Sequence, residues 1–430
     1  MPVFALVDAN NFYASCEKLF DPCLKNRPVV VLSNNDGCVV ARSAEAKALG
    51  IPMGAPWFKL KHEAKRYGIV AFSSNYELYA DISNRTVEIL SSFTPNLEVY
   101  SIDESFLELS GFEKCPGGLA GYGTEIRQRI AEWLGLAVCV GIGSSKTLAK
   151  LANHSAKKSL AGRDGVCDFS TTPAAELTAL FAKIDVSEVW GVGRQLTARL
   201  ESMGIRTVQQ LRDADAATIR SRFSVVLERT VLELRGVSCL ALDEVTPTKQ
   251  QIMSSRSFGA LIYALPELEE AVATYIARAA EKLRAQGSLA GAIQVYIRTN
   301  IFKPEVPQYQ RSYTVPLTEP TDDSRILTRW GMHILRRIYR SGFGYHKAGI
   351  SLLNLSSKEQ NQFSLFAPHD KSDARSESLM RTLDAINARH GRGTLRLAAE
   401  GTDKLWQMRR ENLSPRYTTD WQGLPIVAAR

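Results

Sequence analysis

Apolar spacing changes character twice along this chain, and no single two-layer domain accommodates both changes. Over the first 165 residues, compact apolar runs alternate with helix-forming stretches. FALVDAN reads as a short buried strand and PVVVLS (28–33) as a second. ARSAEAKALG (41–50) has helix-forming composition and a glycine stop. NLEVYSIDESFLELSG (96–111) predicts two strands joined by a tight polar connection at 101–105. LAVCVGIG (136–143) is a further strand that runs into SSKTLAKLANHSAKK, a helix capped by Ser144 or Ser145. From about 170 to 240 the strand signal disappears, and TPAAELTALF, RQLTARLESMG, TVQQLRDA and FSVVLERTVLELRG all space their apolar residues as helices. EVTPTKQQ (244–251) is polar and holds a proline, the composition of a linker. Beyond it, 252–355 predicts strand, helix, strand, strand, helix, strand, a small two-layer α+β unit. SSKEQNQFSLFAPHDKSDARSES is polar with an apolar island, and SLMRTLDAINARHG predicts one short helix. The expected fold class is α+β multidomain.

Composition narrows the partners. The seven cysteines form no CxxC pair and the six histidines are scattered, so neither a disulfide framework nor a zinc site is expected. No apolar run is long enough to span a membrane, and Asp8 interrupts the N-terminus too early for a signal peptide; a cytoplasmic protein is expected. Residues 1–140 hold 13 Lys/Arg against 16 Asp/Glu, whereas 141–430 hold 40 against 29. An acidic N-terminal region joined to a basic remainder suits a nucleic-acid enzyme with a carboxylate metal site. A merely solvated basic surface is the competing account.

Three acids carry the chemistry. Asp8 closes a buried strand, where an acid is costly unless paired or metal-bound. Asp103 and Glu104 sit side by side on the predicted hairpin turn and invite a divalent cation. Hard oxygen donors without Cys or His point to Mg²⁺ or Mn²⁺. One acid on a first strand and an acidic pair on a later hairpin is the layout of a phosphoryl-transfer palm using two ions. A capping Asp and an exposed polar turn is the plainer alternative.

VDANNFYASCE (7–17), VVVLSNNDGCVVARSAEAKALGIPMG (29–54), SSNYELYADISNR (73–85), YSIDESF (100–106) and VGIGSSKTLAKLANHSAKK (140–158) occur here in one order. That order resembles the Y-family translesion DNA polymerases, above all their UmuC-type branch, the catalytic subunits of the SOS-induced bacterial polymerase V. The resemblance extends through WGVGRQLTARLESMGI, SSRSFG and the C-terminal RGTLRLA and WQMRRENLSPRYTT. It implies a right-hand polymerase: palm at 1–15 and 75–168, small fingers at 16–74, helical thumb at 169–243, linker at 244–251, little finger at 252–355 and a partner-binding region at 356–430.

Residue by residue, the resemblance implies that Asp8, Asp103, Glu104 and the carbonyl of Ala9 hold two Mg²⁺ ions, with Mn²⁺ as a substitute. Tyr13 matches the steric gate that excludes a 2′-OH, with Phe12 beside it under the nucleotide. Lys157, Lys47 and Arg42 match cations for the triphosphate of a dNTP. Ala44 and Asn11 depart from the wider family, where the first position is a tyrosine in many relatives and the second often aromatic or small. Gly191 and Gly193 form a helix-hairpin-helix turn for a DNA phosphate, with Arg194 and Arg199 adding contacts. Residues 245–355 hold 14 Lys/Arg against 8 Asp/Glu, and Arg256, Arg298 and Lys347 are the expected contacts to the duplex backbone. Gln362, Leu365 and Phe366, in QFSLF (362–366), resemble a sliding-clamp-binding pentapeptide. A processed UmuD-type dimer and a RecA-type filament are implied as further partners, and nucleoid association when active. Nothing resembles the acidic set of a 3′→5′ exonuclease, so no proofreading is expected. Two other accounts compete: a catalytically silent DNA- and clamp-binding regulator, which predicts eroded carboxylates, and a nucleotidyl cyclase, which has no use for the hairpin motif.

Overall fold

A computed structural model describes residues 2–243, 248–360, 372–402 and 406–421. It divides into two units: Met1–Ser33, Gly37–Thr246 and Asn412–Arg430 in one, Asn34–Asp36 and Pro247–Glu411 in the other. The clamp-like segment 362–366 and part of the 244–251 linker lie outside the described residues.

In the first unit the chain runs β1 (Phe4–Ala9), α1 (Phe12–Leu19), β2 (Val29–Leu32), β3 (Val39–Arg42), α2 (Ala44–Ala48), α3 (Trp57–Tyr67), β4 (Val70–Ser73), α4 (Tyr76–Ser91), β5 (Leu97–Val99), β6 (Glu104–Glu108), α5 (Gly118–Leu134), β7 (Val138–Gly143), α6 (Lys146–Lys157) and β8 (Val166–Asp168). A five-stranded sheet has the order β5-β6-β1-β7-β8. It is antiparallel except for the last pair. β1 is central and almost wholly buried, which is why FALVDA reads as a continuous apolar run. A smaller sheet, β3-β2-β4, carries its own apolar cluster around Val30, Leu32 and Leu60.

Helix α6 is pressed against β7. A Cβ on Gly141 would lie 2.0 Å from the N of Asn153 and 2.3 Å from the carbonyl of Ala149, so only glycine fits. The Asn153 amide donates to the carbonyls of Leu6 (3.2 Å) and Cys139 (2.7 Å). Ser145, not Ser144, caps α6 by accepting from the N–H of Leu148.

The helical stretch follows as α7 (Ala174–Phe181), α8 (Arg194–Glu201), α9 (Val208–Asp213), α10 (Ala216–Arg222) and α11 (Val225–Leu234), around a core of Phe181, Leu200, Leu211 and Val231. The Gly-Val-Gly turn precedes α8, but its other arm is a single 3₁₀ turn, Val186–Glu188. The 41–50 helix is shorter than expected: residues to Arg42 pair in β3 and Ser43 caps α2.

The second unit holds β9 (Ile252–Ile262), α12 (Leu265–Ala285), β10 (Ser288–Arg298), β11 (Gln310–Thr321), α13 (Ser324–Ile338), β12 (Tyr345–Ser357) and α14 (Ser372–His390). The strand order is β11-β10-β12-β9, antiparallel throughout. α12 and α13 bury Leu268, Ile276, Leu327 and Ile334 against it. α14 is longer than the short helix expected. Asp384 accepts two hydrogen bonds from Arg284 of α12 (2.6 and 2.7 Å), and Trp406 packs edge-on to Tyr275. No helix among the described residues is long and apolar enough to cross a membrane.

Candidate active site

Asp8 and Glu104 are direct partners in the antiparallel β1/β6 register. Residues so paired project from one face of the sheet, their Cβ atoms about 4.5–5.5 Å apart. The N–H of Ala9 donates to the carbonyl of Asp103 at 2.9 Å, tying the acidic turn to the end of β1. Within that turn the Ser101 hydroxyl donates to Asp103 Oδ1 (2.6 Å) and accepts from the N–H of Glu104 (3.1 Å). Asp8 and the acidic pair about 95 residues later thus stand at one sheet end.

Cations from α6 answer them. Lys157 Nζ lies 2.5 Å from Asp8 Oδ2, and Lys150 Nζ contacts both Glu104 oxygens at 2.8 and 2.9 Å. Burial pushes the Asp8 carboxyl up to about 6; Lys157 pulls it down, while Glu104 and Asp103 push it further up. A like-charged cluster of this kind is stabilised by added positive charge. Among the described residues no group of three His, Cys, Asp or Glu stands in metal-holding geometry. Two of the three carboxylates instead hold ammonium groups. The donor set is nevertheless hard oxygen, adjacent and partly buried, and it already attracts cations; it fits Mg²⁺ or Mn²⁺ by chemistry.

Asn11, in the left-handed region at φ 54°, turns the chain from β1 into α1 and stands at the N-cap position without a side-chain capping bond. Asparagine tolerates that conformation better than most residues. The turn sets Tyr13 close to the acids: Asp103 is among the groups that, after burial and Tyr76, raise its phenol pKa. The Tyr13 ring is half-buried and stacks on Tyr79, centroids 4.5 Å apart at 15°. Phe12 differs from expectation. It is 4% exposed and packed in the sheet's core, so its ring is not open to a nucleotide.

Lys47 is exposed on α2, and burial together with Arg42, Lys157 and Lys158 lowers its pKa, so these cations are neighbours. Arg42 is anchored by a hydrogen bond to the carbonyl of Ile51 (2.5 Å).

The more distant residues divide. Gly191 and Gly193 are exposed, with open space where a Cβ would be, and Arg194 is exposed at the start of α8. Arg199 instead donates to the carbonyl of Arg222 (2.6 Å) and lies over the Phe223 ring, so its guanidinium is engaged inside the helical stretch. In the second unit Arg298 and Lys347 are register partners on β10 and β12, one residue from the inward-facing Ile297 and Ala348. They therefore project from the sheet face opposite α12 and α13. Arg256 is exposed on β9.

Sequence reasoning missed Lys150, Tyr79 and Glu17. For Lys150 a signal existed: it lies seven residues before Lys157, two helical turns along one face. Tyr76 and Tyr79 share a face at i, i+3 within SSNYELYADISNR.

Residues 7–154 match the impB/mucB/samB family and 249–365 its C-terminal domain, while 377–427 match a domain of unknown function, DUF4113. The chain is 48% identical to Protein UmuC of Salmonella typhimurium over 422 residues, 98% of this chain and 99% of that protein. It is 27% identical to DNA polymerase IV of Dehalococcoides mccartyi, strain ATCC BAA-2266, over 90% of this chain and 95% of that one. The fold matches a Y-family DNA polymerase chimera, Dbh-Dpo4(243-245)-Dbh, with a TM-score of 0.62 and 19% identity over 83% of this chain and 99% of that one. The chain belongs to the impB/mucB/samB family, to which Protein UmuC ties it over nearly its whole length, and it has the fold of the Y-family DNA polymerase chimera.

Proposed function

We propose that the chain is an error-prone translesion DNA polymerase of the SOS response, adding template-directed dNTPs to a primer by two-metal phosphoryl transfer. The observation that carries this reading is the convergence of Asp8, Asp103 and Glu104 at one sheet end, with Lys157, Lys47 and Arg42 beside them. Mg²⁺, when bound, supplies the charge that activates the primer 3′-OH and stabilises departing pyrophosphate. Asp8, Asp103 and Glu104 would hold the metal. Lys157, released from Asp8 as nucleotide enters, turns to the triphosphate with Lys47 and Arg42 and orients it for in-line attack. Tyr13 underlies the sugar, where a 2′-OH collides with the ring.

Gly191 and Gly193 offer backbone N–H groups to a DNA phosphate, and Arg298, Lys347 and Arg256 hold the duplex without reading its sequence. Such backbone-only contacts suit an enzyme that copies damaged templates. QFSLF (362–366) tethers the enzyme to a sliding clamp, and the C-terminal region receives a UmuD-type dimer near a RecA-type filament.

Single-nucleotide incorporation on undamaged primer-template, with these partners present, tests the reading. Asp8→Asn is expected to lower kcat by on the order of 10³ while DNA affinity persists, and Lys157→Ala to raise the dNTP KM by about tenfold. An unchanged rate in Asp8→Asn, or a loss explained wholly by weaker DNA binding, would overturn it.

A further inference from the structure

The Tyr13 ring does not stand alone. It stacks on Tyr79, and Tyr76 packs edge-on against both, at centroid distances of 6.2 and 6.4 Å. Tyr79 is fully buried, and its hydroxyl donates to Glu17 Oε1 at 2.5 Å. That oxygen also accepts from the hydroxyl of Ser414, at 3.1 Å. Glu17 is 1% exposed, and its Oε2 has no hydrogen-bond partner. An acid so enclosed is costly unless hydrogen-bonded, and its two donors tie it to Tyr79 and Ser414.

Ser414 is almost 400 residues away in sequence, in a segment with several independent attachments to this unit. The amide of Asn75, immediately before α4, donates to Ser414 Oγ (2.9 Å), to the Ser414 carbonyl (3.3 Å) and to the Pro415 carbonyl (3.1 Å). Asn75 Oδ1 meanwhile caps α4, the helix that carries Tyr76 and Tyr79. Ser73 and Asn412 exchange two hydrogen bonds at 2.9 and 3.0 Å. Tyr417 stacks on Phe20, just past the end of α1, with centroids 4.4 Å apart at 10°. The segment 412–417 therefore grips α1 at one end and the start of α4 at the other, and Tyr13 and Tyr79 sit on those two helices.

We propose that the segment 412–417 is a strap that positions the sugar-selecting ring: Ser414 and Glu17 fix Tyr79, and Tyr79 fixes Tyr13, so that discrimination against ribonucleotides depends on the C-terminal segment. This rests on the reading of Tyr13 as the ring beneath the sugar. Glu17, Tyr79, Ser414 and Tyr417 are positioning residues and need not touch nucleotide. Excluding a 2′-OH requires a ring that yields little, and a tilt of less than an ångström admits one extra oxygen. A strap drawn away from Asn75 and Phe20 frees Tyr79 to rock, and Tyr13 rocks with it. Since 412–417 falls within the stretch that also matches DUF4113, a partner engaging this region gains a handle on nucleotide choice.

The test is the ratio of kcat/KM for an rNTP to that for the matching dNTP, measured on full-length protein. The variants are Tyr13→Ala, Glu17→Ala, Glu17→Gln, Ser414→Ala and Tyr417→Ala. Tyr13→Ala is expected to raise the ratio most. Glu17→Ala, Ser414→Ala and Tyr417→Ala are each expected to raise it by roughly three- to tenfold, through faster ribonucleotide incorporation. Glu17→Gln keeps an oxygen that accepts from Tyr79 and is expected to stay close to wild type. A purely structural role lowers both arms together and leaves the ratio unmoved. If Tyr13→Ala raises the ratio but Ser414→Ala and Tyr417→Ala do not, the strap is overturned and the sugar-facing role of Tyr13 stands. If Tyr13→Ala itself changes nothing, both fall. Should Glu17→Ala fail to fold, Ser414→Ala and Tyr417→Ala decide the matter.

Discussion

A carboxylate in an apolar strand advertises itself, because burying an acid without a partner costs several kcal/mol, on the order of the stability of a whole domain. Asp8 was legible for that reason, and Asp103 and Glu104 as adjacent acids on a predicted hairpin turn. Glu17 was not, and Lys150 was signalled only by its place two helical turns before Lys157: each lies on a short amphipathic helix, where a charged residue is ordinarily solvated. Only the tertiary fold shows that Lys150 reaches Glu104 and that Glu17 is enclosed by Tyr79 and Ser414. Glu17 makes the sharper prediction. Burial pushes its carboxyl from an ordinary 4.5 up to about 7, against the pull of hydrogen bonds from Tyr79 and Ser414. The folded state thus favours the protonated acid, whose contribution to stability is complete below pH 4.5 and lost as pH rises through about 7. Cys16 and Tyr417 also face this carboxyl, and both stay neutral through that range because their own burial, and then its charge, raise their pKa values. Wild type should therefore lose on the order of 2 kcal/mol relative to Glu17→Gln between about pH 5 and 8. Denaturation profiles of the two that run parallel with pH would contradict the burial argument.

At the scale of elements, the order of strands and helices in 252–355 was fully readable, since two long amphipathic helices and alternating strands carry strong periods. The helices α4 and α5 were not. α5 begins GLAGYG, a poor helix former, and it is packing that holds it: a Cβ on Gly123 would meet Val166 at 2.9 Å and Val140 at 3.3 Å. Close packing also fixes the site. α6 delivers Lys150 and Lys157 to the acids only because Gly141 lets it lie directly on β7. Gly141→Ala should therefore cost about 3 kcal/mol or more in denaturant unfolding, as backbone atoms on both elements must part. Gly193→Ala, where a Cβ meets nothing within 4 Å, is expected to leave stability within about 0.5 kcal/mol of wild type. Equal losses in the two variants would sink the claim that α6 is pinned by contact at Gly141.

For the whole molecule, the sequence conveyed the switch from acidic to basic halves and from mixed to helical to mixed spacing, which together outline a nucleic-acid enzyme. It did not convey that the C-terminal stretch is divided, with 372–411 in the second unit and 412–421 in the first. No period or motif marks that division; it depends on side chains such as Ser414 and Trp406 finding partners more than a hundred residues away. The central claim is that the acids of the first unit drive DNA synthesis across damage. The most direct measurement is running-start primer extension through a single abasic site. It uses full-length protein with Mg²⁺, sliding clamp, processed UmuD-type dimer and RecA-type filament, and compares wild type with Asp103→Ala/Glu104→Ala. Wild type is expected to extend products past the lesion and the double variant none, with DNA bound equally by both. Bypass products that persist in the double variant, or bound DNA that neither protein extends under any combination of partners, would contradict it.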